Sequence, residues 1–316
     1  MGESGLLERW TIGEVSLAVD IVDTGEAAVG SDTTPGVRSA GPVLFIHGSW
    51  DDHHTWDATR RALATPCRQV AYDRRGHSAS TDVVGQGTIR QDVADAAGII
   101  TELGVGAAQV VGHSYGACIA ILLATTHPEL VAGLVLHEPP LFALLAADHP
   151  ELLGGATSAM GAAVELAAAG QVEAAAIQFI DNVAFGPGSW ANLFGPHDRA
   201  AMLANIDTWL DQSRDPDRLA VDAGELADFA GPVTLTTGTD SLAAFGAVTR
   251  IVRSLVPASR LVTIDGAGHG APVSHPDALA AAIDQHLTDQ HLTGQERDPR
   301  HGRVRRTAEV DDAATR

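Results

Sequence analysis

Ser114, His269 and a carboxylate are the residue types this chain could combine for acyl transfer. Ser114 lies in Gly112-His113-Ser114-Tyr115-Gly116, between the apolar run Gln109-Val110-Val111 and a helical stretch. A sharp strand-to-helix turn crowds the backbone and needs small residues on both flanks. It lifts the serine hydroxyl above a sheet, beside the amino end of the next helix. The alternative is a serine that only caps that helix; the apolar strand before it and the apolar helix after it favour a nucleophile.

A neutral hydroxyl needs a base, and the base needs an orienting carboxylate. His269, in Gly266-Ala267-Gly268-His269-Gly270, follows the strand pattern Leu261–Ile264. Its flanking glycines and its place after the last strand single it out among 14 histidines; the alternative is a surface loop histidine. Asp240, in Gly238-Thr239-Asp240, follows Val233–Thr236 and is the carboxylate expected beside it. Glu138, in Leu136-His137-Glu138-Pro139-Pro140, also stands past a strand end and is the second choice, either orienting the histidine or lining the pocket. Glu138 also has a structural reading, binding backbone donors where the prolines begin a new segment. Asp265 is third, awkwardly close to His269 in sequence to reach its ring. Two N–H donors must face the oxyanion. The amide of Tyr115 is one, and the turn His47-Gly48-Ser49-Trp50 supplies the other, from Ser49 or else Trp50.

Other clusters are discounted. Asp51, Asp52, His53 and His54 look like metal ligands, but adjacent ligands do not converge easily on one ion, so no metal is expected. Asp73-Arg74-Arg75-Gly76-His77-Ser78 reads as a turn held by Asp and Arg hydrogen bonds. Cys67 and Cys118 are too few for a disulfide framework, and Cys118 reads as a small buried hydrophobe.

The elements that must position these residues alternate. Strand patterns at Val15–Val22, Val43–Ile46, Gln69–Tyr72, Gln109–Val111, Leu134–Leu136, Val233–Thr236 and Arg260–Ile264 are interleaved with helical spacing at Thr88–Leu103, Ala117–Thr126, Phe245–Leu255 and Asp277–Leu287. This predicts an α/β fold, a mostly parallel doubly wound sheet covered on both faces. From Leu141 to Phe229 no strand is apparent, only alanine-rich helical stretches broken at Gly154-Gly155, Gly170, Gly186-Pro187-Gly188 and Gly195-Pro196. The expected organisation is a core of residues 10–140 and 230–290, a helical cap at 141–229 inserted after the sixth strand, and a disordered tail at 294–316. The apolar faces Met160–Ala169 and Met202–Leu210 are helix packing first and substrate wall second.

The set His47-Gly48, Tyr72-Asp73-Arg74-Arg75-Gly76-His77-Ser78, Gly112-His113-Ser114-Tyr115-Gly116, Gly238-Thr239-Asp240 and Gly268-His269 resembles the α/β-hydrolase superfamily, from about Trp10 to His286. The resemblance implies the α/β-hydrolase fold, a triad of Ser114, Asp240 and His269, and a helical cap. Serine at position 114 separates the chain from the epoxide-hydrolase and haloalkane-dehalogenase branches, which carry aspartate there. The stretch Ser49-Trp50-Asp51-Asp52-His53-His54-Thr55-Trp56 departs from the H-G-G-G form of many lipases. It looks more like small-molecule esterases and C–C-bond hydrolases.

The function expected is hydrolysis of a small carboxylic ester, lactone or thioester through an acyl-serine, without a cofactor. C–C bond cleavage or cofactor-free perhydrolysis by the same triad, and a non-catalytic ligand-binding protein on the same fold, stay open. The aromatics Phe179, Phe185, Trp190, Phe194 and Trp209 imply a small-molecule substrate with an apolar portion.

Composition narrows the partners. The 316 residues carry 40 acidic and 20 basic side chains, a formal net charge of −20, and no lysine. Such a surface repels nucleic acid and anionic membranes. Lysine-free, alanine-rich, acidic composition fits adaptation to high salt or a GC-rich genome. The densest apolar stretch, Leu152–Val164, is too short to cross a bilayer. Met1–Trp10 holds Glu3, Glu8 and Arg9 where a secretory leader would be apolar, so a cytoplasmic protein is expected.

Overall fold

Period-two alternation decides which face each strand residue joins. In the computed structural model, which describes residues 6–24, 41–80, 87–219 and 221–296, Leu44 and Ile46 enter one apolar cluster while Val43 and Phe45 enter another. Val110 parts from Val111, and Leu134 and Leu136 part from Val135, in the same way. Strands buried on both sides must be covered twice, and the helices do so.

In chain order the elements are β1 (Leu6–Ile12), β2 (Val15–Asp23), β3 (Val43–Ile46), α1 (Asp57–Ala62), β4 (Arg68–Tyr72), α2 (Ile89–Leu103), β5 (Ala108–His113), α3 (Tyr115–Thr126) and β6 (Val131–His137). Then come α4 (Pro150–Ala168), α5 (Val172–Phe179), α6 (Ser189–Asn192), α7 (Pro196–Ala204) and α8 (Ile206–Arg214). The series ends with β7 (Val233–Gly238), α9 (Ala243–Leu255), β8 (Arg260–Ile264), α10 (Ala271–Ser274) and α11 (Pro276–Glu296). Eight strands form one sheet in the order β1-β2-β4-β3-β5-β6-β7-β8. The pairs β1–β2 and β2–β4 are antiparallel and the others parallel.

Helices α2, α3 and α9 pack on one face and α1 and α11 on the other. Because β4 and β5 flank β3 on opposite sides, the order reverses there and a crevice opens at the carboxyl ends of β3 and β5.

Among its described residues the insertion between β6 and β7 has helices as its only regular elements, and it builds an apolar cluster of its own, including Phe179, Trp190, Met202 and Trp209. From outside the insertion the cluster takes one buried member, Trp50 in the turn after β3, which packs on Phe179 and Trp209 at centroid distances of 5.4 and 4.7 Å. Among the described residues no helix is long and apolar enough to cross a membrane.

Three expectations need correction. A strand at Leu6–Ile12 precedes Val15 and pairs with it through a tight turn, although its sequence alternates poorly. Gly154-Gly155 do not break the insertion: α4 runs through both from Pro150 to Ala168. Each internal glycine costs a helix about 0.5–1 kcal/mol relative to alanine, less than the packing of Ala163 and Ala167 in the insertion's cluster can offset. The last helix reaches Glu296, past the expected start of the tail at 294, and residues 297–316 lie outside the described residues.

Candidate active site

Crowding at the end of β5 explains its glycines. A Cβ on Gly116 would sit 2.2 Å from the Ile46 carbonyl oxygen, and one on Gly112 would sit 2.6 Å from Ala117 Cα. Only hydrogen fits at either place, so α3 can start directly against β3. Ser114 between them takes φ 55° and ψ −121°, a backbone state that costs a non-glycine residue energy and that clusters at functional sites. The turn after β3 lies against it, since a Cβ on Gly48 would be 3.4 Å from Ser114 Cβ.

The described hydrogen bonds leave the amides of Ser49, Trp50 and Tyr115 without a protein acceptor. Tyr115 is the first residue of α3, where an N–H has no intrahelical partner. Ser49, Ser114, Tyr115 and His269 share the wall of a cavity of about 360 Å³.

His269 is 2% exposed, and its Nδ1 lies 2.9 Å from Glu138 Oε2. A carboxylate only accepts, so Nδ1 carries the proton and the neutral ring keeps Nε2 unprotonated. No described residue engages Nε2. Phe245 stacks on the ring at 3.9 Å and Phe185 meets its edge at 5.3 Å, fixing its plane.

Glu138 is fully buried and takes φ 47°, a second strained non-glycine residue. Its other oxygen, Oε1, accepts from Thr237 Oγ1 at 2.7 Å, the Gly238 amide at 2.9 Å and Ser241 Oγ at 2.5 Å. Burial alone would raise this carboxyl. The hydrogen bond from His269, the nearby His137 and His269 rings and the Ser241 hydroxyl outweigh it and hold Glu138 well below the usual carboxylate range. Burial in turn lowers His269, with the Glu138 bond opposing.

Asp240, the carboxylate expected beside His269, is not there. It is exposed, its Oδ1 accepts only from Thr239 Oγ1 at 3.1 Å, and its amide is tied to the Ala267 carbonyl at 2.8 Å. Both β6 and β7 lie between β5 and β8, so strand order alone does not decide. The contacts do: donors from Thr237, Gly238 and Ser241 converge on Glu138, while the Asp240 amide is tied back to the loop before His269. Asp265 is exposed as well.

Residues 43–282 match the profile of the alpha/beta hydrolase family. The chain belongs to the alpha/beta hydrolase family. An esterase of Mycobacterium tuberculosis is 39% identical over 98 residues, which is 31% of this chain and 33% of that protein. Two other curated relatives are matched over 26% and 41% of their own length, so the chain spans well under two thirds of the curated relatives it matches. Among solved structures, a thermophilic esterase from Thermogutta terrifontis superposes with a TM-score of 0.65 at 20% identity, over 90% of this chain and 99% of that one. A haloalkane dehalogenase loop variant from Bradyrhizobium elkanii gives 0.68 at 18% identity, over 93% and 99%. Identities this low establish the fold alone, and two chemistries on it show that the fold does not choose the reaction.

In this alpha/beta hydrolase the Asp73–Ser78 stretch is a structural turn, as its sequence suggests. Asp73 accepts from the amides of His53 at 2.9 Å and Ala79 at 2.8 Å, and Arg75 clasps Asp95 through two bonds of 2.6 and 2.7 Å. Arg74 holds the turn after β3 by donating to the Gly48 carbonyl at 3.0 Å. Asp52, His53 and Asp73 lie close enough to share an ion. Their carboxylate oxygens are already engaged, Asp52 by the His54 amide at 3.0 Å and Ser78 Oγ at 2.9 Å, and Asp73 by the His53 ring at 2.5 Å besides the two amides.

Sequence reasoning missed the partners that steady the site. Gln212 Nε2 donates to Ser49 Oγ at 2.8 Å, and Asn205 Nδ2 to the Trp50 and Asp51 carbonyls at 3.1 and 3.2 Å, so α8 and the residue before it pin the turn after β3. Nothing local in the insertion marks them. Thr237 and Ser241 flank the Gly238-Thr239-Asp240 stretch, and their hydroxyls were a signal that this loop serves an acceptor elsewhere.

Burial lowers His77 to about 3 and His137 and His286 to about 4, and lowers His47 as well. Between those values and the ordinary 6.5 the unfolded chain binds more protons, so stability is full above pH 6.5 and is lost as pH falls below it. Each such histidine removes up to about 1.4 kcal/mol per pH unit. Urea midpoints should therefore decline from about pH 6.5 downward, before most carboxylates titrate. A midpoint flat to pH 5 would contradict it.

Proposed function

We propose that this alpha/beta hydrolase cleaves a small carboxylic ester, lactone or thioester through an acyl-serine on Ser114. One observation carries the reading: Glu138 fixes His269 with Nε2 unprotonated, in the same cavity as a serine on a strained strand-to-helix turn.

Ser114 Oγ attacks the carbonyl carbon while its proton passes to His269 Nε2. The oxyanion accepts from the amides of Tyr115 and Ser49, with Trp50 the alternative to Ser49. Collapse expels the alcohol or thiol, which takes the proton back from Nε2. Water then attacks the acyl carbon, gives a proton to Nε2, and Ser114 regains it as the acid leaves. Glu138 stays ionised and stabilises the imidazolium in both steps. Asp240 has no part in this scheme.

The cavity wall is chiefly apolar, with Phe142, Met160, Phe179, Trp209 and Phe245 among its residues, and suits a substrate with an apolar portion. Of the aromatics singled out in the sequence, Phe179 and Trp209 line it, while Trp190 and Phe194 are buried in the insertion's own cluster. The insertion acts as a cap, because several of these wall residues belong to it.

A fluorophosphonate probe should add one equivalent of label, recovered on the peptide holding Ser114, and a nitrophenyl ester series should be turned over with a preference for short and medium acyl chains. Label at another residue, or none in a folded protein, would overturn the assignment.

A further inference from the structure

Arg218 bears a charge that no described carboxylate meets in ion-pair contact. It lies beyond α8 and shares the cavity wall with Ser114, Tyr115 and Cys118. It is the one arginine there, and no aspartate or glutamate joins it. Its Nε is buried without a hydrogen-bond partner, and among the described residues no carboxylate forms an ion pair with its guanidinium. The acidic residues preceding it are otherwise engaged. Asp215 accepts from the amides of Ile89 at 2.7 Å and Asp217 at 2.9 Å, and Asp217 takes Arg90 Nε at 2.8 Å.

The fully buried arginines differ from half-buried Arg218 in holding a carboxylate, although Arg60 and Arg74 also leave Nε without a partner: Arg60 pairs with Asp20 at 2.5 Å, Arg74 with Asp92 at 3.3 Å and Arg75 with Asp95 at 2.6 Å. The Tyr115 hydroxyl nearby is neutral, buried and without a hydrogen-bond partner, so it does not neutralise Arg218. Desolvation lowers the Arg218 pKa, and the charge of Asp215, which is not in ion-pair contact with it, opposes this only in part. A chain with net charge −20 that keeps an unpaired guanidinium on an apolar wall holds a local site for an anion.

We propose that the substrate is an ester carrying a free carboxylate, received by the Arg218 guanidinium while Ser114 attacks the ester carbonyl. The inference rests on the ester-hydrolase reading above and names its substrate class. Arg218 and Ser114 line one cavity of about 360 Å³, so its size bounds the spacer between carboxylate and scissile carbonyl. The carboxylate can stand on the acyl arm, as in a half-ester of a dicarboxylic acid, or on the alcohol arm, as in an acylated hydroxy acid.

The test compares kcat/KM for methyl half-esters of succinate, glutarate and adipate with the same esters in which a primary amide replaces the carboxylate. Butyryl glycolate and its amide report the alcohol arm. One of the two arms should show an acid-over-amide ratio of about 10–100, the worth of a charge-assisted hydrogen bond, expressed mainly in KM. Arg218→Gln should bring that ratio close to one, and Arg218→Lys should retain part of it. A wild-type ratio of one or less on both arms overturns the proposal without any variant, as does a ratio that survives in Arg218→Gln. If that variant does not fold, the wild-type and Arg218→Lys ratios decide. Equal turnover of acids and amides would leave the esterase reading standing, whereas no turnover of any ester together with no probe label would remove both.

Discussion

Ser114→Ala should abolish ester turnover, lowering kcat by about 10⁶-fold, while the protein keeps its fold. The size follows from the scheme: without Oγ no acyl-enzyme forms, and what remains is the catalysis that a prearranged oxyanion site and substrate binding give to water. The fold survives because alanine and serine both carry a Cβ, so the strain at φ 55° is common to both. The flanking glycines that make room for the turn are untouched, and the backbone bonds of position 114, its amide to the His137 carbonyl at 2.9 Å and its carbonyl from the Ala117 amide at 2.9 Å, do not involve the side chain. A melting temperature within a few degrees of the parent, with turnover gone and probe labelling lost, is the expected combination. An alanine variant that still hydrolyses esters at the parent rate would show that the hydroxyl at 114 is not the nucleophile.

The sheet and the strained turn that carries Ser114 were legible because the signals that mark them are local. Continuous apolar runs with opposite faces buried, a glycine on each side of Ser114 and a glycine-flanked His269 each follow from constraints within a few residues. The carboxylate beside His269 was harder, because choosing between Glu138 and Asp240 depends on contacts between strands, which no local pattern contains. Both stand just past a strand end. What separates them is that Thr237, Gly238 and Ser241, from β7 and the residues after it, converge on Glu138 from across the strand boundary and leave its other oxygen for His269. The weight of the Gly238-Thr239-Asp240 motif pointed to the wrong side of that boundary. Gln212, Asn205 and Arg218 were illegible for a related reason: they act through contacts more than 100 residues away in sequence, or through the absence of a contact.

Glu138→Gln should lower kcat by about 10³–10⁴-fold, and Asp240→Asn should leave it within about twofold, the usual range for an exposed substitution. In the glutamine variant the donors on Thr237, Gly238 and Ser241 still call for an acceptor, so the amide oxygen takes the Oε1 position and the NH₂ faces His269. Nδ1 must then accept, the proton moves to Nε2, and the ring can no longer take the proton of Ser114. The pH profile offers a second readout with a definite sign. Burial sets the His269 pKa low and the Glu138 bond raises it, so the acid limb of kcat/KM in the parent lies below 6.5. Loss of the carboxylate removes the raising influence, and the residual activity of Glu138→Gln should have its limb at still lower pH. Asp240→Asn should leave the limb where it was. If Asp240→Asn carried the large loss and Glu138→Gln the small one, the 2.9 Å bond between Glu138 and His269 would be structural only, and the loop after β7 would have to rearrange before catalysis to bring Asp240 to the ring.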